Sequence, residues 1–212
     1  MIKIDIISDA VCPWCYIGKK RLDKALTIYK RHQFDITWHA FQLNPSMPQA
    51  GMNRKLYLSS KFEGENRAED IYKQIKIAGL STGIKFNFDK INTMPNSFYT
   101  HMLIEYSKEE SLQNEIVEDL FNAFFIEGTN IGEIETLIKI ARNNNIKKFS
   151  KDIISKRKDI IDTINISENS SRSRGISGVP FFIINNTYAV SGAQESEVFE
   201  KIFETCLLEN KD

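Results

Sequence analysis

Apolar and polar residues alternate from the start of the chain. Ile2, Ile4 and Ile6 are separated by Lys3 and Asp5, the period-two pattern of a strand. Asp9-Ala10-Val11 breaks the alternation. From Pro13 the period changes, and Ile17, Leu22, Leu26 and Tyr29 recur at helical spacing. Pro13 suits a first helical turn, where a backbone N–H has no intrahelical partner. Alternation resumes from Phe34 to Leu43, and Asn44-Pro45-Ser46-Met47-Pro48 ends it with turn chemistry. Strand, helix and strand in this order predict a right-handed βαβ unit with parallel strands.

The middle of the chain is helical in period. Helices are predicted over Arg67 to Leu80, Asn96 to Ser107, Leu112 to Phe125, Glu133 to Asn143 and Lys151 to Ser171, with a turn at Glu127-Gly128-Thr129-Asn130. Strands return with Val179-Pro180-Phe181-Phe182-Ile183-Ile184, which is strongly apolar and β-prone. Asn185-Asn186 is a tight turn, Tyr188-Ala189-Val190 pairs back, and Glu195 to Leu208 forms a last helix. The order is βαβ (1–48), a helical block (49–172), then ββα (173–212). This is an α/β fold with a helical insertion.

Composition narrows the function. The 28 Lys and Arg balance the 28 Asp and Glu, so no global basic field argues for nucleic acid. No segment approaches the ~20 apolar residues of a membrane span. The charged, alternating N-terminus lacks the apolar stretch of a signal peptide, so the expected compartment is the cytoplasm. Three cysteines, an odd number, exclude a fully paired framework within one chain. In a reducing compartment, a close pair such as Cys12 and Cys15 fits catalysis or metal binding better than a staple.

The placement of Cys12-Pro13-Trp14-Cys15 matters more than its spacing. It follows a strand and opens a helix, so Cys12 faces unpaired N–H groups and the positive end of the helix dipole. The thiolate is the reactive form of cysteine, and such a setting favours it. Cys12, at an exposed helix mouth, is expected to attack. Cys15, one turn in, is expected to be shielded and to resolve the mixed disulfide. Trp14 offers a flat apolar surface for a substrate. Val179-Pro180 opens an apolar strand, where proline is confined to an edge or a first residue. A cis bond there would leave leading backbone groups free to pair with an extended substrate. An ordinary strand opener is the alternative.

Together these segments resemble a family. Asp9-Ala10-Val11-Cys12-Pro13-Trp14-Cys15-Tyr16-Ile17-Gly18, Phe41-Gln42-Leu43-Asn44-Pro45 and Gly175-Ile176-Ser177-Gly178-Val179-Pro180-Phe181-Phe182 are similar to the DsbA-like thioredoxin-fold oxidoreductases. Leu120 to Gly128 and Ser191-Gly192-Ala193-Gln194 resemble the FrnE subgroup in particular. The resemblance implies a thioredoxin fold interrupted by a helical domain that walls the substrate groove. It also implies Cys12 as nucleophile, Cys15 as resolver, and a cis Val179–Pro180 bond across from the pair. Asn96 to Met102 departs from the subgroup's Asn-Thr-x-x-Ala-His-Arg pattern at Ser97, Thr100 and Met102.

The expected activity is protein dithiol–disulfide exchange, in the oxidase, reductase or isomerase direction. It needs no organic cofactor and acts on protein thiols or disulfides, with glutathione or another thiol as a candidate co-substrate. Pro13, Trp14, Val179 and Pro180 are the expected substrate contacts. A glutathione-dependent isomerase or transferase of the kappa-class or 2-hydroxychromene-2-carboxylate isomerase type shares the architecture, but typically places serine where Cys12 stands. A groove that binds clients without turnover is a third reading. Zinc would need four ligands, and His32, His39, His101 and Cys206 supply no second close pair. Cys206 reads as helix core, Asp9 as a loop cap and His101 as a helix–helix contact. His39 reads as strand packing, and Lys19, Lys20 and Arg21 as a solvated face.

Overall fold

The computed structural model describes residues 1–62 and 65–209. β1 (Ile2–Ser8), α1 (Pro13–Ile28) and β2 (Phe34–Ala40) form the expected βαβ unit, with β1 and β2 parallel from Ile2↔Phe34 to Ser8↔Ala40. A two-residue strand β3 (Met52–Asn53), α2 (Arg54–Lys61), α3 (Glu65–Ser81) and a two-residue strand β4 (Thr93–Met94) follow. α4 (Phe98–Ser107), α5 (Gln113–Asn122), α6 (Ile134–Asn143), α7 (Lys151–Lys156) and α8 (Lys158–Ser173) continue the helical insertion. The chain closes with β5 (Phe181–Ile184), β6 (Tyr188–Ser191) and α9 (Ser196–Glu209).

The main sheet has the order β2-β1-β5-β6, with β5 antiparallel to both β1 and β6. This is an α/β thioredoxin-like fold with a helical insertion. Asn185 and Asn186, both at positive φ, make the β5–β6 turn. One sheet face carries Ile2, Ile4, Ile6, Phe34 and Phe182 toward α1 and α9. There Phe34 meets Phe203 at 4.9 Å and Phe182 meets Phe199 edge-on at the same distance. Each of these rings removes its apolar surface from water, and together they fix the helices to the sheet. The other face carries Lys3, Asp5, Ile7 and His39 toward α8. Asp5 is buried there and keeps its charge partnered, by Lys3 at 3.2 Å and His39 Nε2 at 2.7 Å.

Besides the short strands β3 and β4, which no pattern announced, three helical segments differ from expectation. α2 carries no apolar stripe for periodicity to detect, and its legible signal is the Asn53 cap, whose side chain accepts from the Leu56 N–H at 3.2 Å. The helix predicted over 151–171 breaks at Arg157 (φ −83, ψ 74), where no proline or glycine marks the break. The guanidinium there reaches Asp159 at 2.7 Å and Glu109 at 2.5 Å. The helix predicted to Phe125 ends in a π-helical turn, Ala123–Glu127, stopped by Gly128 at φ +76. A Cβ on Gly128 would fall 2.6 Å from the Lys90 carbonyl oxygen, so the close approach of that backbone requires glycine. Among the described residues no helix is long and apolar enough to cross a membrane.

Candidate active site

Cys12 is the N-cap residue of α1. Its carbonyl accepts the Cys15 N–H at 3.0 Å, and its own N–H donates to the Asp9 carbonyl at 3.0 Å. Its side chain makes no cap bond. The Sγ instead lies 3.5 Å from the Val179 carbonyl oxygen, across the groove floor. The Val179–Pro180 bond that follows is cis. Val179 is half-buried and Pro180 buried, so this segment closes over the cysteine. The expected exposed helix mouth is therefore corrected: Cys12 is only 4% exposed. Trp14 is the residue that turns outward, at 37%, while Pro13 is buried with the rest of the turn.

Cys15 is the deeper of the pair, at 1%. Burial pushes its thiol well up, and hydrogen bonding to Cys12 and negative charge there push the same way. The Ser8 hydroxyl and the Asp9 backbone pull down by less. Burial therefore holds the Cys15 thiol well above its ordinary value. Cys206 is buried in α9, the core position its sequence suggested.

α1 approaches β5 through Gly18. A Cβ there would stand 2.9 Å from Pro180 Cγ and 3.2 Å from Phe182 Cζ, so the absence of a side chain sets the distance between the cysteine helix and the proline. On its other side α1 is bolted to the insertion. Tyr16 donates to Glu118 Oε1 at 3.0 Å, and Lys19 and Lys20 reach the same carboxylate at 3.0 and 2.5 Å. The Tyr16 ring stacks on Phe121 at 4.9 Å. Lys19 was expected on a solvated face. It is 3% exposed, because α5 covers it and Glu118 and Asp23 hold its charge.

Asp9 caps its own loop and that of β2. Its carboxylate accepts the Leu43 N–H at 2.8 Å and the Val11 N–H at 3.3 Å. His101 Nε2 faces it at 3.6 Å, both side chains being buried, and makes no hydrogen bond among the described residues. Asn96 ties the insertion to the same loops. It donates to the Met47 carbonyl at 2.6 Å and accepts from the Gln42 amide at 3.2 Å. Thr100 bonds the Ile131 carbonyl and Met102 is fully buried, so this face is packing rather than groove. His39 lies on the far sheet face, away from the cysteines.

Sequence reasoning did not find Arg54, Tyr72 and Phe88. Arg54 opens α2 with its guanidinium 4.7 Å above the Tyr72 ring and 5.6 Å above Phe88. Burial raises the Tyr72 phenol, Arg54 lowers it in part, and negative charge on Cys12 adds to the rise. The only signal along the chain was the Asn53 cap that starts this helix. Among the described residues no three His, Cys, Asp or Glu side chains are grouped to hold a metal ion.

Comparison with known proteins extends this picture. A family model described as a DSBA-like thioredoxin domain matches residues 3–204. An uncharacterized protein of Bacillus subtilis, YwbO, is 28% identical over 204 residues, covering 94% of each chain. The structure of a probable DsbA oxidoreductase from Streptomyces coelicolor superposes with a TM-score of 0.88 at 23% identity, covering 99% of this chain and 91% of that one. A cytosolic disulfide reductase, DsbM, from Pseudomonas aeruginosa superposes at 0.69 and 15% identity, covering 97% and 98%. At these identities the two structures establish a shared fold.

Proposed function

The chain belongs to the DSBA-like thioredoxin domain family, and from that premise we propose that it is a protein dithiol–disulfide oxidoreductase of the FrnE type, working through Cys12 and Cys15. One observation carries the reading. A cysteine at the start of α1 has its sulfur 3.5 Å from the Val179 carbonyl oxygen, with a second, buried cysteine one turn deeper in the same helix.

In the reducing direction the Cys12 thiolate attacks one sulfur of a substrate disulfide. That S–S bond breaks, and the departing sulfur leaves as a thiolate and takes a proton from solvent. A Cys12–substrate disulfide remains. Cys15 loses its proton and attacks Cys12 Sγ, expelling the second substrate thiolate and closing Cys12–Cys15. Two electrons pass from the pair to the substrate, and the oxidising direction runs the same steps backwards. The raised Cys15 thiol supports this order, since a protonated sulfur does not compete for the first attack.

Trp14, with Pro13 beneath it, and the Val179-Pro180 segment are the proposed contacts for an extended protein substrate. Residues 49–172 supply one wall of the groove. A reducing, cytoplasmic setting belongs to the reading, because three cysteines suit a redox pair better than a stapled scaffold. Cysteine at position 12 favours this over the isomerase or transferase alternative, whose relatives typically carry serine there.

Insulin reduction and reactivation of scrambled ribonuclease, run on wild type, Cys12→Ser and Cys15→Ser, test the proposal. Wild type should turn over, Cys12→Ser should be inert, and Cys15→Ser should accumulate a mixed disulfide with substrate on non-reducing gels. Full activity of Cys15→Ser on a glutathione-dependent isomerisation, without any such adduct, would favour the alternative. Client binding unaffected by Cys12→Ser, without turnover in any variant, would favour the binding module.

A further inference from the structure

α2, α3 and the Phe88–Lys90 turn line a cavity of about 590 Å³. Its lining includes the cations Arg54, Lys55, Lys73 and Lys76 against the carboxylates of Glu69 and Asp89. Lys76 is matched with Asp89 at 3.4 Å. Arg54, lying on the rings of Tyr72 and Phe88, keeps its planar donors on a fixed aromatic floor. Lys73 is exposed on the same rim. α3 packs on α1, and a run of ring contacts joins the cavity to the cysteine helix: Tyr72 to Phe88 at 4.6 Å, Phe88 to Phe86 at 4.8 Å, and Phe86 to Tyr16, the residue after Cys15, at 6.1 Å.

We propose that this cavity is a substrate subsite for an acidic side chain near the reacting cysteine of a protein client, with Arg54 and Lys73 as its specificity-determining cations. This rests on the oxidoreductase reading above. The physical reason is charge balance. A thiolate nucleophile repels a disulfide flanked by carboxylates, and cations placed beside the approach offset that repulsion and raise the encounter rate. A guanidinium stacked on two rings also presents a fork that matches a carboxylate better than a mobile ammonium.

The test uses three disulfide-linked peptides of equal length, their single cysteine flanked by Glu, Gln or Lys. The quantity read is the ratio of kcat/KM for the Glu peptide to that for the Lys peptide. Wild type should favour the Glu peptide by about fivefold or more at low salt, and the ratio should fall at 0.5 M salt, where the Debye length is only a few ångströms. Arg54→Gln should pull the ratio toward one. Lys73→Glu, a surface reversal that disturbs no packing, should do the same. A ratio near one in wild type, or a preference that neither variant changes, overturns the subsite. If oxidised glutathione is turned over with the same Arg54 and Lys73 dependence while the peptides are equal, the cavity serves small thiols and the peptide proposal fails.

Failure of the oxidoreductase reading looks different: no peptide is reduced at all. In that case the Glu and Lys peptides with serine for cysteine are titrated onto wild-type protein. Tighter binding of the Glu peptide, lost in Lys73→Glu, supports the subsite, and equal binding overturns it.

Discussion

Glu118 ties α1 to α5 through three side chains of α1. It accepts from Tyr16 and faces two ammoniums, one of which, Lys19, is buried. A buried ammonium without a counter-charge is costly, so Lys19 is tolerable only because Glu118 and Asp23 reach it. Burial works to raise the Glu118 carboxyl, but the Lys20 and Lys19 ammoniums outweigh it and hold it below the usual carboxylate range. A carboxyl lowered on folding contributes stability that is fully present above its unfolded value, about 4.3. That contribution is lost as pH falls through the lower folded value. Glu118→Gln should therefore cost about 1–3 kcal/mol in urea unfolding at pH 7. The deficit relative to wild type should shrink as pH drops below about 4. An equal deficit at pH 3 and pH 7 would mean that the carboxylate charge is not what holds α1 to α5.

At the scale of elements, the decisive contact is α1 against β5. In an ordinary helix interior, replacing glycine by alanine gains about 1 kcal/mol. Gly18 should behave oppositely, because its Cβ would press on Pro180 from 2.9 Å. Gly18→Ala is expected to lose about 1–3 kcal/mol and to slow insulin reduction, since relief requires α1 to shift away from the Val179 carbonyl that faces Cys12. A more stable and fully active variant would contradict this packing account. The elements that strong stripes defined were legible in the sequence: β1, α1, β2, α6 and the β5–β6 hairpin lie where periodicity and turn residues put them. α2, β3 and β4 were not, because a polar eight-residue helix and two-residue strands carry too few positions for a period. The α7–α8 break was hidden for a different reason: no proline or glycine stands at Arg157, and the Glu109 that reaches its side chain comes from another part of the chain.

At the scale of the whole molecule, the thioredoxin-like sheet brings the two ends of the chain together, and the insertion braces the result. The cysteine pair could be read from local order alone, since strand, Cys-Pro-Trp-Cys and helix are contiguous. Val179 was legible only as a β-prone position, and its carbonyl's approach to Cys12 spans 167 residues of sequence separation. The burial of Lys19 depends on α5, packed from afar, and the Arg54 cavity on how α2, α3 and the Phe88–Lys90 turn fold together, so no periodicity announced them. The central claim is that Cys12 and Cys15 act as one two-electron couple. The most direct test is to equilibrate the protein in glutathione buffers of graded ratio, trap it with an alkylating reagent and weigh it. One transition is predicted, in which Cys12 and Cys15 lose alkylation together, with a tenfold change in equilibrium constant per ~30 mV as a two-electron couple requires. If both thiols were alkylated at every ratio, or were oxidised independently of each other, the pair would not be the redox centre.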